Sequence, residues 1–234
     1  GVMTAGCAQT LINVHRVLPG KSVLMVGSGN VGVIVAYQLM QAGADVAAII
    51  EAAPNLGGYG VHTAKIRRAG VPFFTSTTIV KAEGKESVER AVIANVDSRF
   101  VPIADTEKVL EVDTICIAVG LTPSIELASL AGCKMMYVSE LGGNMPIHNG
   151  YMQTTDGSIY VAGDIAGIEE ASTAMEEGRL AGIHAAWSMG YISDKEMQSK
   201  TEQTRDRLEA LRQGIYGFKR YVAKERVVQG GMTK

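Results

Sequence analysis

The run Val23-Leu24-Met25-Val26-Gly27-Ser28-Gly29-Asn30-Val31-Gly32 restricts the fold more than any other stretch of the chain. Unbroken apolar residues, without polar alternation, belong to a strand covered on both faces, as in parallel sheets. The glycines that follow stand at G-x-G-x-x-G spacing. Val31, Ile34, Val35, Leu39 and Ala42 then recur at helical intervals until Gly43 stops the helix. Residues 45–50 form a second apolar strand that ends at Glu51. Strand, helix and strand within about 30 residues make a right-handed parallel crossover.

Each glycine has its own physical reason. Gly27 permits the tight turn out of the strand, Gly29 lets a phosphate come close to the backbone, and Gly32 lets the helix pack near the sheet. A pyrophosphate then meets N–H groups at the positive end of the helix, so Gly27, Ser28, Gly29, Asn30, Val31 and Gly32 are candidate dinucleotide-binding residues. Glu51 stands 24 positions after Gly27, and no arginine occurs in the ten residues that follow it. A carboxylate there accepts hydrogen bonds from ribose hydroxyls and repels a 2′-phosphate, so the expected cofactor is NAD rather than NADP.

The rest of the chain divides by texture. Residues 1–20 show a short helical pattern closed by Pro19-Gly20 and read as a connector. A short helix over 62–69 and a strand over 71–75 precede two alternating runs, 79–83 and 88–96, which form a β-meander hairpin. Residues 112–119 return to a continuous apolar strand that stops at Gly120. Beyond Pro123 come a helical turn or two over 125–131, a strand over 133–138, a loop over 139–150, a buried strand over 158–162 and a long helix over 169–189. The expected fold class is therefore α/β, a Rossmann-like three-layer arrangement of β-meander, parallel sheet and helices over 21–120. In the tail, Met197, Thr201, Thr204, Leu208, Leu211, Ile215, Phe218 and Val222 step by fours and threes, an amphipathic stripe packed on the protein's own body.

Composition removes several classes. Residues 1–192 carry 12 Lys/Arg against 18 Asp/Glu and residues 193–234 carry 10 against 6, which is no footprint for nucleic acid. Cys7, Cys116 and Cys133 form no disulfide framework or zinc-ligand spacing, and a reducing cytoplasm is the default setting. The apolar runs are strand-length, so no membrane span or signal pattern is expected. Gly1 in place of an initiator Met suits a processed or truncated piece.

A second constellation, Thr154 to Asp164, has the shape T-x-x-x-x-h-Y-h-h-G-D with h apolar, and delivers Gly163 and Asp164 to a strand end, where ligands bind in α/β sheets. Together with the glycine run and Ile115-Cys116-Ile117-Ala118-Val119-Gly120-Leu121-Thr122-Pro123, it resembles the pyridine nucleotide-disulfide oxidoreductases, flavoproteins in which an NAD(P) domain is inserted into an FAD domain. The resemblance covers roughly residues 1–190. It implies that Gly27, Gly29, Gly32 and Glu51 hold NAD, and that Gly120 and Pro123 mark the return to the FAD domain. It also implies that Gly163 and Asp164 meet the FAD ribitol and phosphate. Residues 121–192 then form the C-terminal half of an FAD domain, a half-site only, with 193–234 as a helical tail.

The family's disulfide reductases place C-x-x-C before the NAD strand. Ala5-Gly6-Cys7-Ala8 offers one thiol there, which disfavours disulfide reduction. The opening run to Thr10, with Gly58-Tyr59-Gly60, looks instead like the α subunits of sarcosine oxidase, hydrogen cyanide synthase and opine or proline dehydrogenases. That resemblance implies hydride transfer between nicotinamide and FAD, a small amine or amino-acid substrate, and an oligomer or hetero-oligomer whose partner subunit can hold that substrate. A non-catalytic NAD-binding module or partner-docking fragment stays open beside it. His15, His62, His148 and His184 have no evident acid or nucleophile partner and read as solvated or structural. Glu169-Glu170 and Glu176-Glu177 read as a solvated helix face. No catalytic residue is assigned, since in this chemistry the cofactors carry the hydride.

Overall fold

The computed structural model describes residues 1–214 and 217–232, and the chain forms two compact units, Gly1–Gly120 and Leu121–Lys234. The first unit begins with β1 (Val2–Thr4), α1 (Ala5–Asn13), β2 (Ser22–Val26), α2 (Asn30–Gln41), β3 (Asp45–Ile50), α3 (Gly60–Arg68) and β4 (Phe73–Phe74). A meander of β5 (Thr77–Glu83), β6 (Arg90–Asn95) and β7 (Lys108–Glu111) follows, and β8 (Thr114–Ile117) returns to the main sheet. That sheet is parallel throughout, in the order β1-β8-β2-β3-β4, while the meander is antiparallel.

Strand alternation explains the three layers. Val23 and Met25 of β2 pack with Val33, Val35, Ala36 and Leu39 of α2, whereas Leu24 points the other way and packs with Ala91 and Ile93 of β6. Burying such a side chain contributes about 1.5–3 kcal/mol, so a strand covered on both faces tolerates no polar residue. A bulge in β3 keeps both faces matched: Val23 pairs with Val46 but Leu24 with Ala48. Val46 and Ile49 thereby face the helices, and Ala48 and Ile50 face the meander.

Two expectations change in this unit. Residues 1–20 do more than connect: Val2–Thr4 pairs with Ile115, Cys116 and Ile117, and Ala5 and Ala8 are core residues. The apolar run 112–119 is strand only over Thr114–Ile117, because Asp113 turns its carboxylate to accept the N–H groups of Lys21 (2.8 Å) and Ser22 (3.2 Å).

In the second unit α4 (Glu126–Leu130) precedes an antiparallel hairpin of β9 (Met135–Val138) and β10 (Gly143–Pro146), so part of the expected loop over 139–150 is strand. Then come α5 (Ala171–Ser188), α6 (Asp194–Arg212) and α7 (Phe218–Met232). The expected strand over 158–162 does not form; Tyr160 makes one isolated bridge to Gln153, and a strand needs a neighbour to complete its ladder. In α6 the Ser193 hydroxyl caps the N–H of Glu196, and Met197, Thr201, Thr204 and Leu208 are buried, as the stripe requires. The stripe ends there: Leu211, Phe218 and Val222 are exposed, and Ile215 lies outside the described residues. No described helix is long and apolar enough to cross a membrane.

Candidate functional site

The glycine turn lies between β2 and α2, beside the end of β3. Gly27 has φ +105°, and a Cβ on it would stand 2.3 Å from the Ala118 carbonyl oxygen of the neighbouring strand end. A Cβ on Gly32 would meet the Gly27 carbonyl oxygen at 2.3 Å and the Ala118 Cβ at 3.1 Å. Both positions therefore exclude a side chain by packing alone. Gly29 differs: a Cβ there would find no atom within 4 Å. It is the N-cap of α2, with no side chain capping the helix, so the first-turn N–H groups stand next to open space. Val31 at this end is exposed.

Glu51 is held inside the turn. Its Oε2 accepts the Ser28 N–H (3.0 Å) and the Ser28 hydroxyl (2.7 Å), and Oε1 accepts the Ala53 N–H (2.9 Å). Two lone pairs per carboxylate oxygen leave Oε1 one further acceptor position. The loop after β3 closes over the same turn, where Gly57 donates its N–H to the Ser28 Oγ (2.9 Å) and Tyr59 donates to the Asn30 Oδ1 (2.8 Å). Sequence reasoning attached no role to Gly57 here. The neighbouring Gly58 is closed by packing, since a Cβ there would stand 2.8 Å from the Ser28 carbonyl oxygen. Gly120 ends this unit with φ +132° and open space around it.

The residues expected at the flavin lie in the second unit. Pro123 is buried. Gly163 opens a 3-10 turn over Gly163–Ala166 with φ +74°, and its N–H donates to the Glu177 Oε2 at 3.0 Å. Asp164 is exposed on that turn, and its carboxylate takes no hydrogen bond among the described residues. An exposed carboxylate on a tight turn suits a ribitol hydroxyl.

The acidic pairs are not a solvated face. Glu176 and Glu177 are 5% and 2% exposed, because Glu177 meets both Arg212 (2.7 Å) and Lys224 (2.8 Å) while Glu176 meets Arg179 and Arg207. Glu169 pairs with Arg212 at 2.6 Å, and Glu170 pairs with Arg220 at 2.8 Å. His184 shares a hydrogen bond with the Tyr160 hydroxyl (2.9 Å) and stacks on Tyr151. Burial pushes the Cys116 thiol up to about 11, so it stays neutral in the core. Among the described residues no group of three His, Cys, Asp or Glu could hold a metal.

A parallel sheet with a glycine turn and an uncapped helix at its carboxyl edge defines the class of Rossmann-like dinucleotide-binding α/β proteins. Residues 5–178 match the family described as pyridine nucleotide-disulphide oxidoreductase, and the chain belongs to it. These are FAD- and NAD(P)-dependent oxidoreductases. The chain is 28% identical over 213 residues to an opine oxidase subunit of Agrobacterium tumefaciens (strain Ach5), covering 82% of this chain and 40% of that protein. It is 27% identical over 240 residues to the hydrogen cyanide synthase subunit HcnB of Pseudomonas aeruginosa, covering 96% of this chain and 52% of that protein. It therefore spans about half the length, or less, of these relatives. The thioredoxin reductase of T. acidophilum shares the fold, with a TM-score of 0.64 and 20% identity over 80% of this chain and 57% of that one.

Proposed function

We propose that the chain is the NAD-binding part, with a flavin half-site, of an NAD(H)-linked flavoprotein that oxidises an amine or amino acid. Residues 21–120, joined by the strand and helix of residues 2–13, hold NAD through Gly27, Ser28, Gly29, Asn30, Val31, Gly32 and Glu51. Residues 121–192 carry the flavin-side turn, with Gly163 and Asp164 toward the ribitol and phosphate, and 193–234 are the helical tail. Gly120 and Pro123 mark the passage between the two. When bound, nicotinamide and flavin supply the hydride transfer.

The observation that carries this reading is the open space at Gly29 beside the uncapped start of α2, where Gly27 and Gly32 are closed by packing. The relatives named as subunits support a partner subunit that holds the substrate, and the free thiols Cys7, Cys116 and Cys133 support a cytoplasmic setting. The purified chain's visible spectrum is the test. Stoichiometric flavin absorbance supports the reading; a colourless protein that binds NADH would overturn the flavin part and leave an NAD-binding module.

A further inference from the structure

The turn Gly163–Ala166, which carries Asp164, is held at both ends by one buried ion pair. At its start the Gly163 N–H donates to the Glu177 Oε2 (3.0 Å), and at its close the Ala166 carbonyl oxygen accepts from the Lys224 Nζ (2.6 Å). Glu177 and Lys224 meet each other at 2.8 Å, and each is 2% exposed. Glu177 lies on α5, but Lys224 lies on α7, in the tail and beyond the residues that match the family.

The turn has little else to orient it. Its internal bond runs from the Gly167 N–H to the Asp164 carbonyl oxygen (3.1 Å). Gly163 sits close against α5, where a Cβ would stand 3.3 Å from the Ala174 Cβ. Ile165 and Ala166 pack with Leu180 and Leu208, but apolar contact is non-directional. The bonds from Glu177 and Lys224 have direction, and they act on the two ends of the segment that displays Asp164.

The charges around the pair balance. Arg212 meets Glu169 at 2.6 Å and Glu177 at 2.7 Å, and Lys224 stands 3.6 Å from Glu169, so two cations face two carboxylates. His148 is pushed down to about 4 by burial and by the neighbouring cations, so it is neutral and adds no charge. Apolar residues of the same volume would stabilise such a core as well or better, so stability alone does not call for a buried lysine here.

We propose that Glu177 and Lys224 are positioning residues that fix the Gly163–Ala166 turn and so present Asp164 to the flavin ribitol, which makes the tail helix α7 part of the flavin side. The flavin clause rests on the function proposed above; the clamp on the turn does not.

The test uses the full chain. Lys224→Met removes the bonds to Ala166 and Glu177 but leaves the acids one cation short. Lys224→Met combined with Glu169→Gln removes one charge of each sign and gives a balanced protein to measure if the single variant does not fold. Glu176→Gln is the control, since it breaks a buried ion pair on the same helix, to Arg179 and Arg207, that does not touch the turn. In the balanced variant the Gly163 and Gly167 amides should exchange hydrogen at least about tenfold faster relative to the Leu180 amide of α5, and in Glu176→Gln they should not. FAD affinity should fall at least about tenfold in the balanced variant, with NADH affinity within about twofold of wild type, and Glu176→Gln should leave both unchanged. Unchanged exchange at both glycines, or FAD affinity within about twofold of wild type, would overturn the proposal. A wild-type chain that takes up no FAD would instead overturn the flavin reading, and exchange at Gly163 and Gly167 then decides the clamp by itself.

Discussion

Gly29→Ala separates the fold of the glycine turn from its proposed use. A methyl group there enters space with no atom within 4 Å, and the backbone (φ −63°, ψ 170°) is extended and open to any residue. Alanine is a poorer N-cap than glycine, by about 0.5–1 kcal/mol, but it loses less unfolded-state freedom, by about 0.4–1 kcal/mol. Stability should therefore stay within about 0.5 kcal/mol of wild type. A pyrophosphate resting on the first-turn N–H groups would meet that methyl and lose one charge-assisted hydrogen bond, about 1.5–3 kcal/mol, or about 10- to 150-fold in NADH affinity. Gly32→Ala is the contrast. Its methyl falls 2.3 Å from the Gly27 carbonyl oxygen, so stability and affinity fall together, stability by about 1–3 kcal/mol. Urea unfolding followed by circular dichroism, with NADH fluorescence titration, reads both quantities. A Gly29→Ala protein that binds NADH within about twofold of wild type would refute a backbone approach at this residue.

Three other outcomes are expected. Glu177→Gln removes a carboxylate shared by Arg212 and Lys224, which are 9% and 2% exposed, and should destabilise by about 3–5 kcal/mol, measured by urea unfolding. His148 titrates at about 4 when folded against 6.5 ordinarily, so the unfolded chain binds its proton first. Its contribution is complete above pH 6.5 and is lost as pH falls toward 4, about 3 kcal/mol in all, and His148→Phe should flatten that part of the stability profile. A thiol reagent should modify exposed Cys7 in the native protein and reach buried Cys116 and Cys133 only on unfolding; rapid native reaction of Cys116 would contradict its core placement.

The crossover from β2 through α2 to β3 was readable because its apolar runs and glycines are local signals. Val2–Thr4 was not, since three residues become a strand only where Thr114–Ile117 offers a parallel edge. The same holds in reverse for residues 158–162, whose apolar pattern finds one bridge rather than a ladder. The burial of Glu177 escaped for another reason. Adjacent glutamates on a helix look solvated until a cation arrives from elsewhere in the chain, and Arg212 lies 35 residues away. Glu51 was readable as a strand-end acid, but its bonds to Ser28 and Ala53 depend on the turn's three-dimensional path.

The most direct test of the NAD reading is equilibrium titration of the intact chain with NADH and with NADPH under identical salt. A lone acceptor position on Glu51 Oε1, with negative charge at that strand end, predicts NADH binding at least about tenfold tighter. Equal affinities, tighter NADPH, or binding of neither nucleotide would contradict it.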